Sequence, residues 1–114
     1  MAAISPWHTH FRAFARYNVW ATARVLESVA AVSDDAYRRD VGLFFRSIHG
    51  TLNHLLVGEH LLWFRRFDEG ISPKLALNAE VEPDRVALAE RLQAGAACWE
   101  PLIARWPAER FSGQ

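Results

Sequence analysis

The chain has 114 residues, 51% of them apolar with five Trp and seven Phe, which is enough to bury a core without disulfides or a structural metal. Thirteen basic side chains balance thirteen acidic ones, which excludes the uniform positive field that draws proteins to phosphate backbones or anionic lipid; neither a nucleic-acid nor a membrane partner is expected. The lone Cys98 excludes an intrachain disulfide framework and fits a reducing compartment. No run approaches the ~18 apolar residues of a membrane span, and Met1 to Trp20, carrying His8, His10, Arg12 and Arg16, lacks the apolar stretch of a secretory signal. One cytoplasmic domain over residues 1–114 is the expectation.

Apolar residues at Phe11, Phe14, Ala15, Val19, Ala21, Val25, Leu26 and Val29 recur near helical spacing and predict a long first helix to Val32, with a start at Pro6. Ser33, followed by Asp34 and Asp35, reads as the cap of a short helix to Arg39. Gly42 to Phe45 is β-permissive and can be extended, after which Ser47 can cap a helix to about Phe67. That helix carries an apolar stripe of Phe45, Ile48, Leu52, Leu55, Leu56, Leu62 and Trp63, with Val57, Leu61 and Phe64 on other sides, as in the central helix of a bundle. Gly70, Pro73, Asn78 and Pro83 mark a connecting loop over Glu69–Glu82 that can wrap over a pocket. A last helix, Asp84 to Trp106, places Leu88, Leu92, Ala96, Trp99, Ile103 and Trp106 on one face, and Pro101 predicts a kink or break between Ala97 and Pro101.

Every histidine lies in the first 60 residues, and three of the five, His49, His54 and His60, fall in the second long helix. Helical ligands converge when spaced by three or four residues, and none of these pairs is. At about 100° per residue, His49 and His54 diverge by roughly 140°, and His54 and His60 by roughly 120°; His49 and His60 share a face but stand some 16 Å apart along the axis. No two can chelate one ion within this helix. The ordinary reading of each is a hydrogen-bonded core or surface residue.

The segments Phe14-Ala15-Arg16-Tyr17-Asn18-Val19-Trp20-Ala21 and Phe44 to Glu59, with Trp63 and Phe67 following and a Ser-Asp-Asp-Ala-Tyr-Arg-Arg-Asp stretch between, resemble the DinB family over about residues 10 to 68. The resemblance implies an all-α, up-down four-helix bundle that holds a divalent metal, zinc or nickel, through three histidines, with an open position for water or substrate. It also implies transfer or isomerisation chemistry with low-molecular-weight thiols such as glutathione, mycothiol or bacillithiol, a small-molecule substrate completing the reaction. The family's His-Leu pattern carries one metal ligand onto His54. The other two belong to an HxxxH pair on a later helix and have no counterpart here, since no histidine follows His60. The chain therefore reads as the N-terminal two-thirds of such a bundle, with an apolar strip left open, and a homodimer that completes the bundle is expected.

Other residues have two readings each. Glu59 can serve as acid or base beside a metal-bound water, or pair with Arg66 or an arginine of the first helix, the favoured alternative. His49 can orient a ligand, though a partly exposed place at the helix start is favoured. Tyr17, Asn18 and Trp20 can line a pocket mouth or hold the first helix against the second, with Trp20 favoured as core. Cys98 reads as a small buried hydrophobe. Two functions remain: a metal-dependent thiol S-transferase or isomerase, and a catalytically silent, oligomerising helical module.

Overall fold

A computed structural model describes residues 4–112, and within them the secondary structure is helical. Helix α1 spans Pro6–Ala30. Ser5 starts it with a capping box: its Oγ accepts from the His8 amide, and the His8 ring Nδ1 accepts from the Ser5 amide at 3.1 Å, so a histidine does the work usually given to Glu or Gln. The other ring nitrogen, Nε2, donates to the Trp106 carbonyl at 2.6 Å, and the neutral tautomer is fixed by its partners. At the far end of α1, Arg85 donates to the carbonyls of Val29 and Val32, satisfying acceptors that a helix C-terminus leaves open.

Ser33 caps α2, Asp34–Arg38, by accepting from the Ala36 amide. The stretch expected to be extended is instead a tight turn: Leu43 and Arg46 form an isolated bridge, and Arg46 takes a left-handed φ of 73°, a conformation that few non-glycine residues adopt. Ser47 caps α3, Ile48–Leu55, through the Gly50 amide. The helix then continues without a break as a π-helical run, Leu56–Trp63, and returns to α geometry in α4, Phe64–Glu69, which Gly70 ends in the left-handed region at φ 71°. The amide of Phe64 bonds the carbonyl of Glu59, five residues back. Nothing in the apolar periodicity announces this wider turn.

Asp84 caps α5, Arg85–Ala97; the helix breaks at Cys98 and resumes as α6, Trp99–Arg105, with Pro101 in its first turn. The break agrees with the expectation drawn from Pro101, since a ring without an amide donor is tolerated only near a helix start. A short α7, Ala108–Phe111, closes the described chain.

Three columns result: α1, the continuous α3–π–α4 helix, and α5–α6. The start of α1 meets the end of α6 through His8 and Trp106, and its end meets the start of α5 through Arg85, so these two are antiparallel. The second column runs with the third: Asn53 bonds Glu82, His60 bonds Trp99, and Phe67 packs on Trp106. The alternation of an up-down bundle thus holds between the first two columns and not between the last two. The connection from Gly70 to Asp84 must travel back along the bundle, and on the way Leu77 passes over His54.

The core is formed by Leu26, Tyr37, Leu52, Leu56, Leu88 and Leu92. Of the first helix's expected face, only Ala15 and Leu26 are buried; Phe11, Phe14, Val19 and Val25 are exposed, as is Trp20, which had been expected inside. Leu55 and Trp63 of the second column are exposed as well. No helix among the described residues is long and apolar enough to cross a membrane.

Candidate functional site

Between α1 and the second column lies a cleft of about 150 Å³ whose walls include Asn18, Val25, Leu55, Glu59, His60 and Leu92. Its polar groups form a chain across three helices. Asn18 Nδ2 donates to Glu59 Oε2 at 3.3 Å, the same oxygen lies 3.6 Å from His60 Nε2, and His60 Nδ1 accepts the indole N–H of Trp99 at 3.1 Å. Because Nδ1 accepts, the proton of the neutral ring sits on Nε2 and faces Glu59. The π-helical turn presents Glu59 to α1 while His60 packs against Gly95 of α5, and insertions of this kind recur at functional sites. The pair can hold and orient a proton: burial pushes the His60 imidazole below its ordinary value, while the Glu59 carboxylate pulls the other way.

His60 carries the polar chain; weighed in the sequence as a metal ligand and given the ordinary reading of a hydrogen-bonded core or surface residue, it is buried and hydrogen-bonded. Its partners Trp99 and Gly95 lie more than thirty positions away on another helix, a distance at which spacing rules give no signal. Asn18 does hold α1 to the second column, as one of its two readings had it, but through Glu59. Glu59 pairs with neither Arg66 nor an arginine of α1, because Asn18 and His60 already occupy its oxygen and Arg66 stacks over Trp63 instead. Tyr17 is exposed and packs on Trp20. Cys98, expected buried, is exposed because it falls at the break between α5 and α6.

His49 is only 2% exposed, contrary to its expected place at the surface. The α2 helix covers it: Tyr37 Oη bonds its Nδ1 at 2.7 Å, and Asn53 Nδ2 lies 3.3 Å from its Nε2. Arg85 stacks 4.0 Å above the Tyr37 ring. Burial first, then the nearby Arg38, lowers the His49 pKa from its ordinary 6.5. His49 and His60 therefore resist protonation in the folded chain, while their unfolded forms take up protons near 6.5. Folded stability from this source is fully present above that value and is lost progressively as pH falls below it, through the lowered values of the folded chain. The expected result is a lower urea midpoint at about pH 5.5 than at about pH 7.5, with the difference reduced in His49→Gln; an unchanged slope in that variant would discount His49 as a contributor.

His54 lies apart from both groups. Its ring stacks on Phe45 at 3.9 Å, and Nδ1–H donates to the Leu77 carbonyl at 2.9 Å. That bond leaves Nε2 as a free lone pair, the arrangement in which metal-binding histidines are commonly held. Among the described residues, however, no group of three or more His, Cys, Asp or Glu side chains converges well enough to hold a metal ion. The residues present do not fit the three-histidine centre: one imidazole is oriented for it, and His49 and His60 are engaged elsewhere.

The sequence model of the DinB family matches residues 8–109. The chain belongs to the DinB family. The match takes in α5 and α6 and part of α7 as well as the earlier segments, so the DinB character extends well past the Phe67 limit of the motif resemblance. Searches of curated proteins and of solved structures returned no match. DinB membership and the all-α fold are thereby established together.

Proposed function

We infer that this DinB chain is a self-associating helical module whose bundle is completed by a second copy. The observation that carries this reading is a stripe on α1. Trp7, Phe11, Phe14, Asn18, Ala21 and Val25 follow one another at spacings of four and three, the repeat by which helices pair in coiled coils. Apart from Asn18 and Ala21, these residues are exposed. Asn18, mid-stripe, is already bonded to Glu59 within the chain, so the part of the stripe left for a second copy is Trp7, Phe11, Phe14 and Val25. Trp7, Phe11, Phe14, Tyr17 and Trp63 leave between 37 and 62% of their surfaces in solvent. At ~150–250 Å² each, that is on the order of 500 Å² of aromatic surface. A stable complex buries ~800 Å² per partner, so the stripe and its flanks supply most of an isologous interface.

The expected result is a dimer by sedimentation equilibrium at tens of micromolar, with Phe14→Glu weakening it about 30-fold or more, the effect of losing one ~2 kcal/mol anchor. Circular dichroism should stay unchanged, since Phe14 supports no described core residue. A wild-type monomer under these conditions would end the proposal.

A second reading, metal-dependent thiol transfer, is favoured by the free Nε2 of His54 alone. It needs two further donors from outside the described residues. Elemental analysis of the purified protein distinguishes the two: about one ion per chain or per dimer, lost in His54→Ala, supports the second reading, and metal-free protein leaves the first.

A further inference from the structure

The opposite end of the bundle from His54 holds a larger cleft of about 520 Å³, between α1, α4, α6 and α7. Its volume falls within the ~300–1,000 Å³ of small-molecule sites. The walls are aromatic: Phe11, Phe67, Trp99, Trp106 and Phe111, in contact as a chain with ring centroids 5.5 to 6.0 Å apart. Arg66 and Arg110 complete the lining. Arg110 lies 4.2 Å above the Trp106 ring and Arg66 4.6 Å from the ring of Trp63. Stacking of this kind fixes the plane of a guanidinium while leaving its N–H edge able to donate.

These arginines differ from most others in the chain. Among the described residues, only Arg46, Arg66 and Arg110 have no carboxylate within 4.0 Å. Two of these three therefore lie on one apolar cleft. The Arg110 guanidinium has a single described polar partner, a long 3.4 Å bond to the Phe67 carbonyl. An apolar cavity with a few positive donors selects for a ligand that is apolar over most of its length and anionic at one end.

We propose that this cleft binds a small amphiphilic carboxylate, with its hydrocarbon body among the aromatic rings and its head group on Arg66 and Arg110. Neither arginine belongs to the α1 stripe; Phe11 is shared by the stripe and the cleft, and the substitutions that test ligand binding leave it unchanged. A ligand here would also tie α7 to α4, since Arg110 and Phe111 come from the first and Arg66 and Phe67 from the second.

The test uses the full chain and compares decanoate with 1-decanol by calorimetric titration, with tryptophan fluorescence as a second readout because Trp99 and Trp106 line the cleft. Decanoate should bind saturably and at least about tenfold more tightly than the alcohol, as charge-assisted hydrogen bonds require. In Arg66→Met/Arg110→Met that preference should shrink to about threefold or less while alcohol binding persists, and Arg24→Met on the surface of α1 should leave it intact. Absence of decanoate binding, equal binding of the two ligands, or a preference that survives the double substitution would each overturn the proposal. The comparison of ligands on the wild-type chain decides the matter even where the double variant does not fold.

Discussion

Asn53→Ala is expected to cost about 3–5 kcal/mol, measured as a fall in the urea midpoint of unfolding. Asn53 is fully buried on α3 and acts as a peptide group presented by a side chain. Its Oδ1 accepts the Glu82 amide at 2.9 Å and its Nδ2 donates to the Glu82 carbonyl at 3.1 Å, pinning the returning connection just before Asp84 caps α5. Nδ2 also lies within 3.2 Å of the His49 carbonyl. Truncation leaves two backbone groups of the half-buried Glu82 without partners, at up to about 1–3 kcal/mol each, and opens a small void beside His49. Asn53→Asp keeps the acceptor but sets a buried carboxylate oxygen against the carbonyls of Glu82 and His49, so at neutral pH a loss at least as large as that of the alanine variant is expected. A loss below about 1 kcal/mol for the alanine variant would show that the connection is held by other contacts.

Local chemistry made the helix boundaries legible. Ser33 and Ser47 each cap the helix that their position predicts, because a side-chain oxygen before an apolar run satisfies an amide that nothing else reaches, and Asp84, expected inside the last helix with Pro83 in its first turn, caps α5 in the same way. Pro101 marked the break between α5 and α6 for an equally local reason, its missing donor. The inward face of α1 was less legible. Two apolar sets share that helix, Ala15 and Leu26 in the core and Phe11, Phe14 and Val25 outside, and periodicity responds to apolar character whether or not a partner covers it. An unpaired helix face reads like a core face.

The polar sites were the least legible, for a related reason. His49 and His60 were recognised as unable to share an ion, and they do point apart, one to Tyr37 and the other to Trp99. What each would meet instead depends on α2 and α6, elements remote in sequence. The π-helical run adds a further obstacle, because a change in residues per turn alters every facing relation downstream of Leu56 without changing the composition. Glu59 was expected to pair with Arg66 or an arginine of the first helix, and in the π-helical run it meets Asn18 instead.

Gly95→Val should lower stability by about 2–3 kcal/mol, and it tests whether this wider turn is held by the packing of His60. A Cβ at Gly95 would stand 2.5 Å from His60 Cγ, 2.6 Å from Cδ2 and 3.0 Å from Cβ. Those atoms form the root of the ring, so a torsional swing of its far end does not relieve the contact. Helix α5 or the π-helical segment must move, and either shift pulls His60 Nδ1 from the Trp99 indole. Valine recovers only a few tenths of a kcal/mol of helix propensity over glycine, so overpacking dominates the balance. The same argument fixes the outcome of a double-mutant cycle: with His60→Ala the ring is absent, and the added cost of Gly95→Val should fall to about 1 kcal/mol or less. If the two effects simply add, the contact between α5 and the π-helical turn does not govern this part of the bundle.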